Sequence, residues 1–422
     1  MAVLKLLGNE NCKDEVVLNV LTFAHKALLL EGVNDEGYFA LVAHVVDSLL
    51  TSIPSILDRS SHREVNTVAL EILSVLLSKD YIDDNSTRAA LVQSLTRAMD
   101  KSTVTVASKI NLLKSLSSLI DDYDCSWTDI EELYEVCCKS LRIYSDKSVR
   151  VTLVGVFKSF SNRFEEVAII GNLLDDLNSY SGKRMNEPDF ERRLNGFRKI
   201  NEELFSTMTI TEWLPIVYCS FFFINDVEEL VMRTNATYTL NKFTDAFSSI
   251  ENTEQSKEFI HVLKNVVLPH LCIGLRKTEE VVQTEYISVL EYLVANLKNY
   301  DDLDDMKVLL FGNDEEANFF KNINHIQLHR RQRAIIRLRD YRSSLSENSI
   351  AHYILPIIEH YAFPSDEKLR NIANETVETI SMLVRCINWK QYRALFRRYV
   401  ANLKKSKPEL LRENVSLIVS IS

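Results

Sequence analysis

The chemistry that this sequence offers is concentrated in rows of cations near its carboxyl end. Residues 325–342 contain six arginines and two histidines beside one acidic residue, Asp340. On a helix, Arg330, Arg333 and Arg337 would share one face, because their spacings of three and four residues match the helical repeat. Guanidinium rows of this density bind phosphate or carboxylate groups.

A second basic helix follows within residues 390–407, again with cations at near-helical intervals. Both rows are candidates for contact with RNA phosphate or with an acidic partner. The candidate contact residues are His325, His329, Arg330, Arg331, Arg333, Arg337, Arg339, Arg342, Lys390, Arg393, Arg397 and Lys404.

The same cations have an internal alternative. Seven acidic residues precede the first row, at positions 301, 302, 304, 305, 314, 315 and 316, and could close an ion network with it. The sequence therefore leaves three interpretations open: an internal network, RNA phosphate, and an acidic protein segment. Only phosphate binding should weaken steeply as salt rises.

Catalytic patterns are missing from the sequence. The pair Gly182-Lys183 lacks the other residues of a phosphate-binding loop, and neither Gly-x-Ser-x-Gly nor His-Glu-x-x-His occurs. His325 and His329 have a spacing that could place two imidazoles on a metal, but the arginines that follow would repel a divalent cation. We therefore expect no catalytic site, no cofactor, no metal and no small-molecule substrate.

The elements that carry these rows are predicted to be helices throughout. The 422 residues include only 9 Gly and 7 Pro, too few for the many tight turns of a sheet-rich fold. Apolar residues recur at helical spacing, for example in residues 65–76, 282–297 and 369–384. No alternating strand pattern of useful length occurs.

The predicted helices come in pairs, with a proline late in the first helix of a pair, as at Pro269 and Pro356. This arrangement is typical of HEAT-type repeats, whose roughly 40 to 47 residues would give nine or ten units here. We therefore predict an all-α fold, an α-solenoid of HEAT-like helical repeats of the armadillo-type superhelix class.

The predicted organisation has five parts. Residues 1–177 and 189–300 are HEAT-like repeats, separated by a polar inserted loop at 178–188. An acidic connection at 301–313 leads to basic HEAT-like repeats at 314–422. Both interruptions are expected to be exposed, and the helical pattern that runs to residue 422 suggests an internal segment of a longer protein.

Other features indicate a protein that is neither secreted nor embedded in a membrane. No apolar run reaches the roughly 18 residues of a membrane span, and the seven scattered cysteines are expected to be reduced core thiols. Trp127, Trp213 and Trp389 each lie near a predicted helix start, where we expect a large ring to seal a repeat junction.

Residues 314–334 carry a family resemblance. The sequence Asp-Glu-Glu-Ala-Asn-Phe-Phe-Lys-Asn-Ile-Asn-His-Ile-Gln-Leu-His-Arg-Arg-Gln-Arg-Ala resembles the signature of the large nucleolar HEAT-repeat proteins of the DRIM (down-regulated in metastasis) family. The matching positions are Phe319, Phe320, Asn322, Ile323, His325, Ile326, Gln327, His329, Arg330, Arg331, Arg333 and Ala334.

The resemblance implies a function. It implies a non-enzymatic scaffold of the U3 small nucleolar ribonucleoprotein, the small-subunit processome, that supports pre-rRNA processing and 18S rRNA maturation in the nucleolus. Its expected partners are pre-rRNA or U3 small nucleolar RNA and other ribosome assembly factors, with no membrane. The alternative is a HEAT-repeat nuclear transport adaptor that binds protein cargo, and an enzyme built from ordinary residues is a weaker rival.

Overall fold

The computed structural model describes residues 4–7, 9, 12–30, 36–99, 101, 104–184, 186–248, 254–298, 300–363, 367–405 and 411–421. The chain divides into two compact units, Met1–Gly196 with Thr211–Cys219, and Phe197–Ile210 with Ser220–Ser422. Within the described ranges helices dominate and no β-strand forms; Tyr180 and Pro188 make an isolated antiparallel bridge. The all-α prediction is confirmed.

The first unit alternates its helices between two layers. Helix α1 packs on α3, α3 on α5, α5 on α7 and α7 on α8, whereas α2 packs on α4 and α4 on α6. Such next-but-one packing is the arrangement of a solenoid, in which each helical pair covers the apolar faces of its neighbours. The helices are α1 Asp14–Leu28, α2 Glu36–Arg59, α3 Arg63–Ser78, α4 Asn85–Met99, α5 Val106–Asp122, α6 Trp127–Ile143, α7 Lys147–Arg163 and α8 Ile170–Leu177.

Side chains of one repeat donate hydrogen bonds to the carbonyl oxygens at helix ends of the repeat before it. Arg163, at the end of α7, donates to the carbonyl oxygens of Ile120 and Asp121 at 2.9 and 2.8 Å. The Tyr144 hydroxyl donates to the Met99 carbonyl at 3.1 Å. Arg163 lies 43 positions after Ile120, and Tyr144 lies 45 positions after Met99. Both separations fall within the length of a HEAT unit.

Buried polar side chains also fix the turns inside the repeats. Arg150 in α7 lies 1% exposed and donates to the carbonyl oxygen of Tyr144 at 2.8 Å and to the side chain of Asn178. Arg233 in α11 (Leu230–Ser248) donates to the carbonyl oxygens of Asp226 and Val227 in the same way. Each guanidinium therefore satisfies backbone acceptors of the turn before its own helix.

Two helices have residues in both units, α9 at Phe190–Arg198 and α10 at Ile210–Phe223. In the second unit α11 packs on α14, α14 contacts α15, α15 contacts α16, and α16 packs on α19, while α19 and α20 both pack on α21. The further helices are α12 Glu254–Val262, α13 Leu268–Gly274, α14 Glu280–Asn296, α15 Phe319–Ile323, α16 Leu328–Tyr341, α17 Glu347–Ser349, α18 Leu355–Ile358, α19 Arg370–Val384, α20 Trp389–Lys405 and α21 Leu411–Ile421.

The repeated prolines do not end their helices. A π-helical turn at Leu263–Val267 joins α12 to α13, and another at Ile350–Ile354 joins α17 to α18. Pro269 and Pro356 follow directly, in the first turn of α13 and α18. Because a proline ring clashes with the carbonyl four residues earlier, a widened turn before it lets the helix continue.

The acidic connection at 301–313 is exposed only in part: Asp301, Asp302 and Asp304 are exposed, whereas apolar residues of the segment are buried. The segment forms a 3-10 helical stretch, Asp301–Asn313, and buries Leu303, Met306 and Leu309. These apolar residues recur every third position, the repeat of a 3-10 helix, and so form a stripe that packs inward. Phe311 and Gly312 have positive φ values of 52° and 63°. The domain ranges predicted from the sequence stay predictions.

None of the helices in the described ranges combines the length and the apolar composition that a membrane-spanning helix requires.

Candidate nucleic-acid interface

Arg331 is an internal residue of the basic row on α16. It donates to the carbonyl oxygens of His325 and Asn324, and its guanidinium lies 2.6 Å from the Glu280 carboxylate. The guanidinium also lies 5.8 Å from the ring centroid of Tyr361. Its side chain is 14% exposed. Arg331 therefore donates hydrogen bonds to backbone carbonyl oxygens of the turn before its own helix, as Arg150 and Arg233 do.

Arg339 joins α16 to α19. It pairs with the carboxylates of Glu375 and, at 3.0 Å, Glu378, and donates to the Thr379 hydroxyl at 2.8 Å. Arg342 donates to the Arg339 carbonyl oxygen. Both guanidinium groups therefore have partners within the chain.

Only part of the expected ion network with the preceding acids forms. Arg330 lies 3.5 Å from Glu316, and Arg337 donates to the Glu316 carbonyl oxygen at 3.4 Å while facing the Phe311 ring. Lys321 pairs with Glu315 at 2.9 Å. The carboxylate partners of Arg331 and Arg339 lie elsewhere, in Glu280 of α14 and in Glu375 and Glu378 of α19, so internal pairing does occur for these two arginines but with other acids than those at 301–316.

Three further candidate residues of the basic row, His325, His329 and Arg333, form no ion pair among the described residues. His325 accepts from the amide of Gln327 through Nδ1 at 3.1 Å, and its loss of solvent and the cations Arg330, His329 and Arg331 lower its pKa. His329 and Arg333 are exposed, and no ion pair of either is found among the described residues. Arg333 is therefore an arginine of α16 that is open to an outside anion.

Helix α20 presents a second and more open row. Lys390, Arg393, Arg397 and Lys404, which we call the α20 row, are all exposed, and within the described ranges none has an ion-pair partner. The helix sequence contains no Asp or Glu. At 1.5 Å per residue the row is about 21 Å long.

The opposite side of α20 is anchored to the helical stretch that begins at α17. The Asn388 side chain donates to the Glu347 carboxylate at 2.8 Å and caps α20 by accepting from the backbone N–H of Gln391. The Gln391 side chain in turn donates to the side chain of Asn348 at 2.9 Å. Arg398 pairs with Glu359. These contacts leave the α20 row exposed on the other side of the helix.

The three tryptophans differ from one another. Trp213 is fully buried, and Trp127 meets the rings of Tyr134 and Phe164 edge-on at 5.1 and 5.5 Å, as a junction residue should. Trp389 is 72% exposed. The expectation that Trp389 seals a junction was wrong, because its position at the first turn of α20 lies beside the row and not against a neighbouring helix.

Trp389 begins an aromatic row that sequence reasoning missed. Its ring lies 5.4 Å from that of Tyr392 at an interplanar angle of 24°, and Tyr392 lies 6.0 Å from Phe396 at 25°. The signal was present as spacings of three and four residues, each aromatic residue directly preceding a cation of the α20 row.

The described residues form no metal centre, and the cavity at residues 301–305 is acidic. In the part of the chain that the structure describes, no group of three or more His, Cys, Asp or Glu side chains could hold a metal ion. A cavity of about 460 Å³ is lined by Asp301, Asp302 and Asp305, and its charge does not suit an anionic ligand. Asp305 is already engaged by the Ser346 amide and the Ser349 hydroxyl.

The comparisons with known proteins agree with the resemblance at 314–334. The family described as "U3 small nucleolar RNA-associated protein 20, N-terminal" matches residues 1–279. The protein named U3 small nucleolar RNA-associated protein 20 from Saccharomyces cerevisiae is 39% identical over 100% of this chain, and the one from Schizosaccharomyces pombe is 34% identical over 62% of it.

The chain spans 17% of the length of the S. cerevisiae relative, and the matched part is 10% of the S. pombe relative. Among solved structures, importin beta matches 100% of this chain and 65% of its own at 11% identity and a TM-score of 0.35. The helical architecture follows from the packing described above. The family match over 279 residues and the relative that matches the whole chain confirm the DRIM resemblance: this chain belongs to the U3 small nucleolar RNA-associated protein 20 family.

Proposed function

We propose that this chain is a non-enzymatic scaffold segment of the U3 small nucleolar ribonucleoprotein, the small-subunit processome, acting in the nucleolus. In this role it would support pre-rRNA processing and 18S rRNA maturation by holding RNA and other assembly factors in a fixed relation. Family membership and the names of the two relatives support the assignment to this particle. The stacked helices support a positional role, because such arrays offer long surfaces for partners.

The α20 row is where we place the RNA contact. The observation that carries this is the absence of any carboxylate in α20 together with four exposed cations that have no ion-pair partner in the described ranges. Unpaired cations at a surface attract phosphate without first breaking an internal salt bridge. Arg333 on α16 belongs to the same class of residue, whereas Arg331 and Arg339 hold the fold together.

The proposal is tested in cells with the full-length protein that contains this segment. The α20 row is replaced by alanine, and the control replaces four exposed lysines elsewhere by alanine, so that both variants lose four positive charges. The control residues are Lys13, Lys114, Lys183 and Lys298. Alanine keeps α20 helical, and exposed substitutions of this kind change stability by about 0.5 kcal/mol or less.

We expect ultraviolet crosslinks between α20 and pre-rRNA or U3 RNA in the wild-type protein and in the control, and their loss in the row variant. The wild-type protein should sediment with large pre-ribosomal particles. Sedimentation with small complexes only would instead favour the transport adaptor and contradict the scaffold. Crosslinks that persist in the row variant would remove α20 from the RNA contact.

A further inference from the structure

The aromatic row on α20, formed by Trp389, Tyr392 and Phe396, is unusual for a surface helix. A tryptophan that is 72% exposed keeps a large apolar ring in water, and the ring stacks on Tyr392 through one face only. Large exposed apolar groups beside charged ones mark interaction sites. The opposite face of the Trp389 ring has no ring partner among the described residues.

The two rows of α20 run side by side. Trp389 directly precedes Lys390, Tyr392 precedes Arg393, and Phe396 precedes Arg397. Since successive residues of a helix are about 100° apart, the aromatic rings form one stripe and the cations form the next. A strand of nucleic acid has the same division, with flat bases along one side and charged phosphates along the other.

The first turn of α20 is anchored to residues that come before it in the chain. The Asn388 and Gln391 contacts to Glu347 and Asn348 fix the first turn of α20, which carries Trp389. Leu395 and Tyr399 are buried on the side away from the α20 row, and the Tyr392 hydroxyl donates to the Ile421 carbonyl oxygen at 3.3 Å. Because Tyr392 is fixed in this way, the ring that stacks on one face of Trp389 is already in place when a base stacks on the other.

We propose that α20 binds unpaired RNA, with a base stacked on the free face of Trp389 and the adjoining phosphates on Lys390, Arg393 and Arg397. This inference rests on the proposed RNA contact and adds the kind of RNA. Bases of a duplex are already stacked on each other, so only an unpaired base can meet the ring. An acidic peptide would use the cations but offers no flat group for Trp389.

Binding of a fluorescently labelled oligouridylate of about twelve nucleotides, within the usual site size, measures this in the 422-residue chain. Trp389→Ala should weaken binding roughly five- to hundredfold, the range reported by alanine substitution for one stacked base. Trp389→Phe should restore most of the affinity, since it keeps a flat ring. Phe23→Ala, which removes a ring that is 65% exposed in α1, is the control and should bind as the wild type does.

Two further readouts separate stacking from charge. Tryptophan fluorescence should be quenched by the oligouridylate in the wild type and not in Trp389→Phe, because Trp213 is fully buried and Trp127 is packed on other rings. The affinity should fall with salt with a log–log slope of roughly −2, the value for three phosphates on a single strand. A duplex of oligouridylate with oligoadenylate should bind more weakly and quench little.

The outcomes distinguish this inference from the proposed function. If the α20 row variant loses affinity for the oligouridylate but Trp389→Ala does not, the phosphate contact stands and the stacking inference is overturned. Binding of the duplex as tight as that of the single strand would also overturn the stacking inference. If the wild-type chain does not bind oligouridylate even at low salt, both are overturned. An oligoglutamate peptide that binds α20 as tightly as the RNA would assign the helix to an acidic protein and overturn the inference.

Discussion

Two arginines two positions apart on α16 have opposite roles. Arg331 satisfies the carbonyl oxygens of a turn and pairs with Glu280, whereas Arg333 faces solvent. Their types and spacing predicted the same role for both. The difference comes from residues far away in the sequence, since Glu280 reaches Arg331 only after α14 and α16 have packed into the same unit.

His360 gives a pH dependence at the scale of a single residue. Burial, with a smaller contribution from Arg331, lowers the pKa of His360 to about 4 from its ordinary value of 6.5, and Glu280 opposes this. Between pH 4 and pH 6.5, the unfolded chain therefore binds a proton at this histidine more readily than the folded chain does. Stability should be unaffected by this group above pH 7 and should fall by up to about 3 kcal/mol as the pH drops through that window.

Urea unfolding of the wild type and of His360→Phe across this pH range measures the difference. Phenylalanine keeps a ring beside Tyr361, whose centroid lies 3.8 Å from that of His360. The variant should lose less stability in acid than the wild type does. Parallel pH profiles for the two proteins would show that His360 is not the group responsible.

At the scale of the element, a helix of this chain depends on the repeat that follows it. The last carbonyl oxygens of a helix have no partner within the helix, and here Arg163 supplies one for α5 from the end of α7. The sequence alone does not tell which helix end a residue such as Arg163 would cap. The π-helical turns before Pro269 and Pro356 were likewise not predictable from proline positions alone.

Arg163→Ala should therefore destabilise a helix other than its own. We expect a loss of about 1 kcal/mol, because two carbonyl oxygens lose the charged donor that they share. Hydrogen exchange should speed up in the last turn of α5, which lies 43 residues before the substitution. Lys114→Ala, at an exposed position of α5 itself, should leave both quantities unchanged, and equal effects of the two substitutions would contradict the capping role.

At the scale of the whole molecule, composition and periodicity were enough to predict the helical class. The scarcity of Gly and Pro and the stripe at residues 65–76 both lead to the observed helices, and the stripe residues Val65, Ile72 and Leu73 are buried. Surface properties were harder to predict. Exposure of Trp389 and burial of Leu303 depend on which helix lies opposite, and a single sequence does not record that.

The distribution of thiols over the whole chain can be checked in one experiment. All seven cysteines are free, and burial raises the pKa of Cys137, Cys138 and Cys219. Since the thiolate is the reactive form, these three should resist a thiol reagent at neutral pH while the chain is folded. All seven should react after denaturation in guanidinium chloride, and immediate reaction of all seven in buffer would contradict the buried positions.

The donation from Arg163 to the end of α5 has a consequence for synthesis on the ribosome. When α5 leaves the exit tunnel its final carbonyl oxygens still lack their donor, which is translated 43 residues later. At roughly 5 to 20 residues per second, that delay lasts from about two to nine seconds. The end of α5 would therefore stay frayed until α7 is made, and the end of α4 would wait in the same way for Tyr144.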